Sequence, residues 1–144
     1  MIDIYEKTNK PILVLGRNNN DVFMVLGDKF KLKENGKIIC LFNQDIEIYY
    51  LTVHKSKGLE EENVVIINLE DKLLGFPSQI KDDKILRFVS SDFEKFPYGE
   101  ERRLFYVAIT RTKNYIYLLT PFQNKSVFIE ELLKFNRKNL EILK

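Results

Sequence analysis

Two uninterrupted apolar runs constrain this chain more than any other feature. One is Pro11-Ile12-Leu13-Val14-Leu15, closed by Gly16, and the other is Val64-Val65-Ile66-Ile67-Asn68-Leu69. A strand with one wet face alternates apolar and polar residues. A run that stays apolar at every position needs cover on both faces. Strands of that kind belong to mostly parallel sheets sandwiched between helices, so the chain reads as α/β and not as a β-sandwich or a helical bundle. Its 144 residues are one domain's worth and enough to bury a core. A hydrophobic fraction of 44% against 31% charged residues excludes a disordered chain.

The remaining elements follow from local pattern. Asn18 to Asp21 supplies N-cap candidates for a short helix whose apolar face is Val22, Phe23, Val25 and Leu26, with Gly27 as its stop. Lys31 to Gly36 is polar and turn-like, and Lys37 to Phe42 reads as a strand. Ile46 to Val53 is β-branched and aromatic and predicts another, ending near His54. Lys55 to Gly58 is a loop, and Glu60-Glu61-Glu62 reads as a solvated helix start. Between Asp71 and Gly99 no strong element stands out, apart from a helical turn or two around Lys84 to Val89. A helix from Glu100, a strand Tyr115–Leu119 ended by Pro121, and a last helix Ser126–Lys144, broken near Asn136, complete the chain. The expectation is a single α/β domain of about five strands.

Several function classes drop out. The net charge of +2 gives no global field for nucleic acid, so any such binding rests on local clusters. No apolar run approaches the ~20 residues of a membrane span, and the N-terminus lacks the pattern of a signal peptide. One Cys and one His leave no disulfide framework and make a zinc site unexpected; a cytoplasmic location fits. Cys40 reads as a small core residue and not as a nucleophile paired with His54. There is no G-x-x-x-x-G-K-[ST] loop, no G-x-G-x-x-G and no G-x-S-x-G. Any ATP site in this chain is therefore at most half of one.

Three polar clusters remain: Gly16-Arg17-Asn18, Thr52 to Glu60, and Thr110-Arg111. Each falls at the carboxyl end of a predicted strand or at a helix terminus, where open α/β sheets bind ligands. Each also has a plain reading. Arg17 can be a loop charge, Lys57-Gly58 a turn, and His54 a surface residue. Arg111 and Lys113 can complement the negative end of the Glu100 helix, with Glu100 and Glu101 at its positive end, for roughly 0.3–1 kcal/mol per charge.

The order of these clusters in one chain carries a resemblance. Leu51-Thr-Val-His-Lys-Ser-Lys-Gly-Leu-Glu60 resembles motif V of superfamily-1 DNA helicases of the UvrD/Rep type. Glu100-Glu-Arg-Arg-Leu-Phe-Tyr-Val-Ala-Ile-Thr-Arg111 is similar to their motif VI, and Ile12-Leu-Val-Leu-Gly-Arg17-Asn18 to their motif IV. Gly75-Phe-Pro-Ser78 resembles the short segment after motif V, and the approach Phe96-Pro-Tyr-Gly to motif VI points towards the helicase IV branch. The resemblance spans about residues 11 to 120.

What the resemblance implies is the second, carboxyl-terminal RecA-like motor domain of such a helicase. Arg17 and Arg111 would touch the γ-phosphate of ATP, which is bound with Mg2+ mainly by the first motor domain. Lys57 and Gly58 would lie near the phosphates and Glu60 near the ribose, while Thr52 and His54 would face single-stranded DNA. No metal ligand is expected here. An arginine fork suits phosphate oxygens and is worth about 10³–10⁵ in rate in related phosphoryl transfer. Two departures stand out. Only about thirty-five residues separate Arg17 from Thr52, too few for the large accessory insertion of UvrD and Rep, and the ATP- and magnesium-holding motifs are missing. The expectation is a domain inactive by itself, a piece of a larger helicase. The rival is a non-enzymatic RecA-like module that binds protein or nucleic acid.

Overall fold

The computed structural model describes residues 1–80 and 97–143. Among them, six strands form one sheet: β1 (Ile12–Gly16), β2 (Phe30–Leu32), β3 (Lys37–Cys40), β4 (Ile48–Thr52), β5 (Glu61–Ile66) and β6 (Thr112–Leu118), in the order β2-β3-β4-β1-β5-β6. β4, β1, β5 and β6 run parallel, while β2 and β3 add an antiparallel hairpin at one edge. The helices are α1 (Ile2–Thr8), α2 (Gly99–Ile109) and α3 (Val127–Phe135). This is the α/β, RecA-like arrangement expected, with one strand more than the pattern suggested. The helical turn expected around Lys84 to Val89 lies outside the described residues.

Both apolar runs are buried on both faces, as their composition demands. Ile12, Val14 and Ile67 join a cluster with Ile38, Ile48 and Tyr50, capped by Ile2, Ile4 and Tyr5 of α1 and by Val22. Leu13, Leu15, Val64 and Ile66 join a second cluster under α2 and α3. There Phe76 is fully buried and meets Phe105 and Phe128 edge-on at 5.6 and 6.0 Å, while those two rings stack at 4.9 Å. The Gly75-Phe76-Pro77-Ser78 segment is thus part of the core. A Cβ on Gly75 would sit 2.0 Å from the Glu70 carbonyl oxygen, so the bend admits only glycine. Cys40 is fully buried, in keeping with a core role.

Local expectations change in four places. The helix after Asn18 is a 3-10 helix, Asn19–Met24, closed by a capping box between Asn18 and Asp21. Lys31 and Leu32, read as the start of a turn, join Phe30 in a strand that pairs with β3. Glu61 and Glu62 open strand β5 and not a helix: Glu61 pairs with Thr112, and its N–H donates to the Arg111 carbonyl at 2.9 Å. Ladder pairing beside a buried core outweighs the weak helical preference of three consecutive acids. The chain also begins with α1, which has no side-chain cap and buries no residue fully, so it lacks the start signals from which a helix is read. The last helix ends at Phe135 and yields to a 3-10 turn at Arg137–Asn139, matching the expected break near Asn136.

Candidate functional site

The sheet has two edges, and the polar clusters divide between them. β5 and β6 begin in register, Glu61 opposite Thr112, so their amino ends share one edge. Arg111 sits on this edge, where α2 has ended and β6 starts. Its Nε donates to the Val107 carbonyl at 3.0 Å, its Nη2 to Thr110 Oγ1 at 3.1 Å and its Nη1 to the Leu59 carbonyl at 3.3 Å. The helix-end role foreseen for this cation is therefore real, because Val107 belongs to the last turn of α2. The bond to Leu59 does something more. It locks the guanidinium against Gly58-Leu59-Glu60, with Lys57 and Glu60 both exposed beside it. Gly58 has φ +85° and open space around its Cα. The result is an exposed loop with one ammonium, one carboxylate and a fixed guanidinium.

The opposite edge is formed by the carboxyl ends of β1 and β4. Gly16 and Thr52 are register partners, so Arg17 and the Val53–Ser56 3-10 turn emerge next to each other. Asp21 organises the first of these loops: its Oδ2 accepts from the backbone N–H of Arg17 at 2.8 Å and of Asn18 at 2.9 Å. Its Oδ1 accepts from Asn68 Nδ2 at 3.1 Å. The Tyr50 hydroxyl donates to the Asn18 carbonyl, and burial together with nearby Asp21 pushes that hydroxyl's pKa up. A Cβ at Gly16 would strike the same hydroxyl at 2.3 Å, so glycine ends β1 by close approach.

Arg17 is not a loose loop charge. Its Nε lies 2.8 and 3.1 Å from the two carboxylate oxygens of Glu101, and its Nη2 lies 2.8 Å from Oε1. The same carboxylate accepts the Ser78 backbone N–H at 3.0 Å. Glu101, near the start of α2, thereby ties together the β1 loop, the Gly75–Ser78 segment and α2. Sequence alone reads Glu101 as a helix-end acid, and its real partner stands 84 positions away. No local signal marks such a pair.

Arg17 and Arg111 have different partners among the described residues, Glu101 for the first and Val107, Thr110 and Leu59 for the second. Glu101, which holds Arg17, and Arg111 bracket α2, which is 11 residues or about 16 Å long at 1.5 Å per residue. Leu59, between Gly58 and Glu60, is the loop residue that bonds Arg111. Thr52 is only 8% exposed, which turns its side chain inward, whereas His54 faces solvent. Among the described residues no group of three or more His, Cys, Asp or Glu could hold a metal ion, and no helix is long and apolar enough to cross a membrane.

This two-edged layout coincides with a family match: residues 7–121 fit the UvrD-like helicase C-terminal domain. The chain belongs to that family. Three UvrD-like relatives have names that agree. The chain is 35% identical over 97 residues to DNA helicase IV of Escherichia coli K12, covering 67% of this chain and 14% of that protein. It is 34% identical over 98 residues to a probable DNA helicase II homolog of Mycoplasma pneumoniae, covering 67% and 12%. It is 34% identical over 99 residues to the putative ATP-dependent DNA helicase YjcD of Bacillus subtilis 168, covering 65% and 12%. The matched region is thus a small share of each of these UvrD-like relatives.

Proposed function

We propose that this chain is the second motor domain of an ATP-dependent single-stranded-DNA translocase or helicase. The reading rests on one observation above all: the Arg111 guanidinium is fixed by α2 and by the Leu59 carbonyl at the edge of an exposed loop that carries Lys57, Gly58 and Glu60. Such a half-site fits a nucleotide presented by a first motor domain. Arg111 and Lys57 supply positive charge for phosphate oxygens, and Glu60 can accept hydrogen bonds from ribose hydroxyls. Gly58, without a Cβ, lets a ligand approach the backbone. ATP supplies the phosphoryl group whose hydrolysis drives the cycle, and Mg2+ belongs with the residues of the first domain.

His54 provides the DNA contact on the other edge, with Thr52 buried beneath it holding the end of β4. An imidazole in that place can hydrogen-bond a backbone or stack on a base, an interaction worth roughly 1–3 kcal/mol per base. α2 spans the distance between the two edges. It packs on the Val53–Ser56 turn through the cluster that holds Val53, Leu104, Phe105 and Ala108. A change at the nucleotide edge that displaces α2 as a unit therefore also displaces the His54 turn.

The chain by itself should bind ATP weakly and hydrolyse none. With the first motor domain of a UvrD-like relative fused ahead of Met1, ATP turnover should appear. Arg111→Ala in that fusion should lower turnover by about 10³–10⁵ and leave nucleotide binding largely intact. Turnover unchanged by Arg111→Ala would reduce this arginine to its helix-end role.

A further inference from the structure

The β2–β3 hairpin lies in the interval between Arg17 and Thr52, and its charges are set in an order that stability does not favour. Lys31 is the register partner of Ile39, and one step past the Leu32–Ile38 pair the Lys33 N–H donates to the Lys37 carbonyl at 2.7 Å. Residues directly opposite each other share a face of the sheet, as do residues two apart in one strand. Lys31, Lys33 and Lys37 therefore lie on one face, with Lys33 directly across from Lys37, and all three are exposed. Like charges in that position destabilise a ladder. The same alternation adds one carboxylate to this face, Glu47, two residues before Tyr49, while Asp28 and Glu34 sit in the turns that flank β2. Among the described residues none of the three lysines is in an ion pair.

Lys37 is also the register partner of Tyr49 in β4, so the Tyr49 ring shares the lysine face, where it is 39% exposed. The turn between the two strands is pressed onto β4. A Cβ on Gly36, at φ +78°, would sit 2.3 Å from the Tyr50 carbonyl oxygen. β3 and β4 are antiparallel, so the turn end of the hairpin points towards the carboxyl end of β4, from which the His54 turn emerges. Thr52 is three residues past Tyr49, about 10 Å at 3.3 Å per residue. The exposed imidazole and the lysines are thus within reach of one extended nucleic-acid strand. A basic surface with an aromatic ring among its cations suits a single strand. Ammonium groups neutralise phosphates without reading sequence, and a phenol ring offers a stacking face to any base.

We propose that the hairpin face formed by Lys31, Lys33, Lys37 and Tyr49 binds single-stranded DNA and carries the strand onward from His54. This rests on the DNA reading of the His54 edge and extends it by a second contact surface. The ammonium groups hold phosphates and Tyr49 stacks on a base. A phosphate between Lys33 and Lys37 relieves their repulsion.

The test is binding of a fluorescein-labelled oligothymidylate to the 144-residue chain, read by anisotropy over a range of salt. Each phosphate contact removed lowers the slope of log K against log salt by about 0.7 for a single strand, so Lys31→Gln, Lys33→Gln and Lys37→Gln together should lower it by about 2. The same three positions changed to Arg keep the charge and should keep the slope. Lys10→Gln, Lys134→Gln and Lys138→Gln together, an equal change in net charge away from the hairpin, should leave the slope unaltered. Tyr49→Leu should weaken binding about fivefold or more without changing the slope. Melting curves of each variant keep folding separate from binding, and the hairpin Gln variant should melt no lower than the wild type because a repulsion has been removed. If both Gln variants lower the slope alike, the effect is one of net charge and the hairpin site is overturned. If the hairpin Gln variant keeps the slope while His54→Ala weakens binding, the hairpin assignment is wrong and the DNA edge stands. If the hairpin Gln variant lowers the slope and His54→Ala changes nothing, the lysine face stands and the His54 edge falls. A loss seen with a labelled duplex and not with the oligothymidylate would overturn the single strand as the occupant.

Discussion

Replacing Glu101 with Gln tests whether the Arg17–Glu101–Ser78 junction holds the domain together across 84 positions of sequence. The carboxylate is largely buried and accepts from both Arg17 nitrogens and from the Ser78 N–H. Breaking a fully buried pair costs about 3–5 kcal/mol, and an exposed pair about 1 kcal/mol at most. With Arg17 24% and Glu101 11% exposed, the pair lies between these limits. Gln keeps an acceptor for Ser78 but presents an amide to the guanidinium. A loss of about 2 kcal/mol follows, since a hydrogen bond to a charged group contributes about 1.5–3 kcal/mol. For a domain of this size that lowers Tm by about 6 °C.

Urea unfolding of the wild type, Glu101→Gln, Arg17→Gln and the double variant gives the coupling directly. Neighbouring charged partners should show about 1–2 kcal/mol of non-additivity with unchanged m-values. A coupling within the roughly 0.3–0.5 kcal/mol scatter of independent sites would mean that the pair does not form in solution. The account of how Arg17 is oriented would then fail.

Two further perturbations probe other levels of the fold. Phe76→Ala removes a fully buried ring from the aromatic trio with Phe105 and Phe128. It should cost about 3–5 kcal/mol, and a thermal melt displaced by less than a few degrees would refute its core role. Glu131 pairs with Arg102, whose hydrogen bonds hold the Glu131 carboxyl below its ordinary value of 4.5. Because the folded pKa is depressed, the pair's contribution is complete above pH 4.5 and is lost as pH falls through the folded value. Both side chains are more than a third exposed, so the contribution is under about 1 kcal/mol and screened by salt. Glu131→Gln should accordingly flatten the acid side of a stability–pH profile slightly and leave stability near neutral pH almost unchanged.

Much of this domain is legible without coordinates because its signals are local or additive. Ile12–Leu15 and Val64–Leu69 declare their double burial in their own composition, and the break at Asn136 and the end of α2 before Arg111 follow from short-range pattern. Motif order implies that the Lys57–Glu60 loop and Arg111 belong to one site, and the register of Glu61 with Thr112 places the Leu59 carbonyl within a hydrogen bond of Arg111. Short elements were harder: β2 has three residues and α1 has seven, too few for periodicity to outweigh composition.

Sequence by itself determined the layered α/β class, the motif family and the identity of the charged residues. Tertiary structure alone decided which of them contact each other. Two arginines alike in chemistry and motif setting lie on opposite edges of one sheet, because α2 carries Glu101 at its start and Arg111 just past its end. The length of a rigid helix and the direction of parallel strands set that separation. Neither quantity is written in the spacing of Arg17 and Arg111 along the chain.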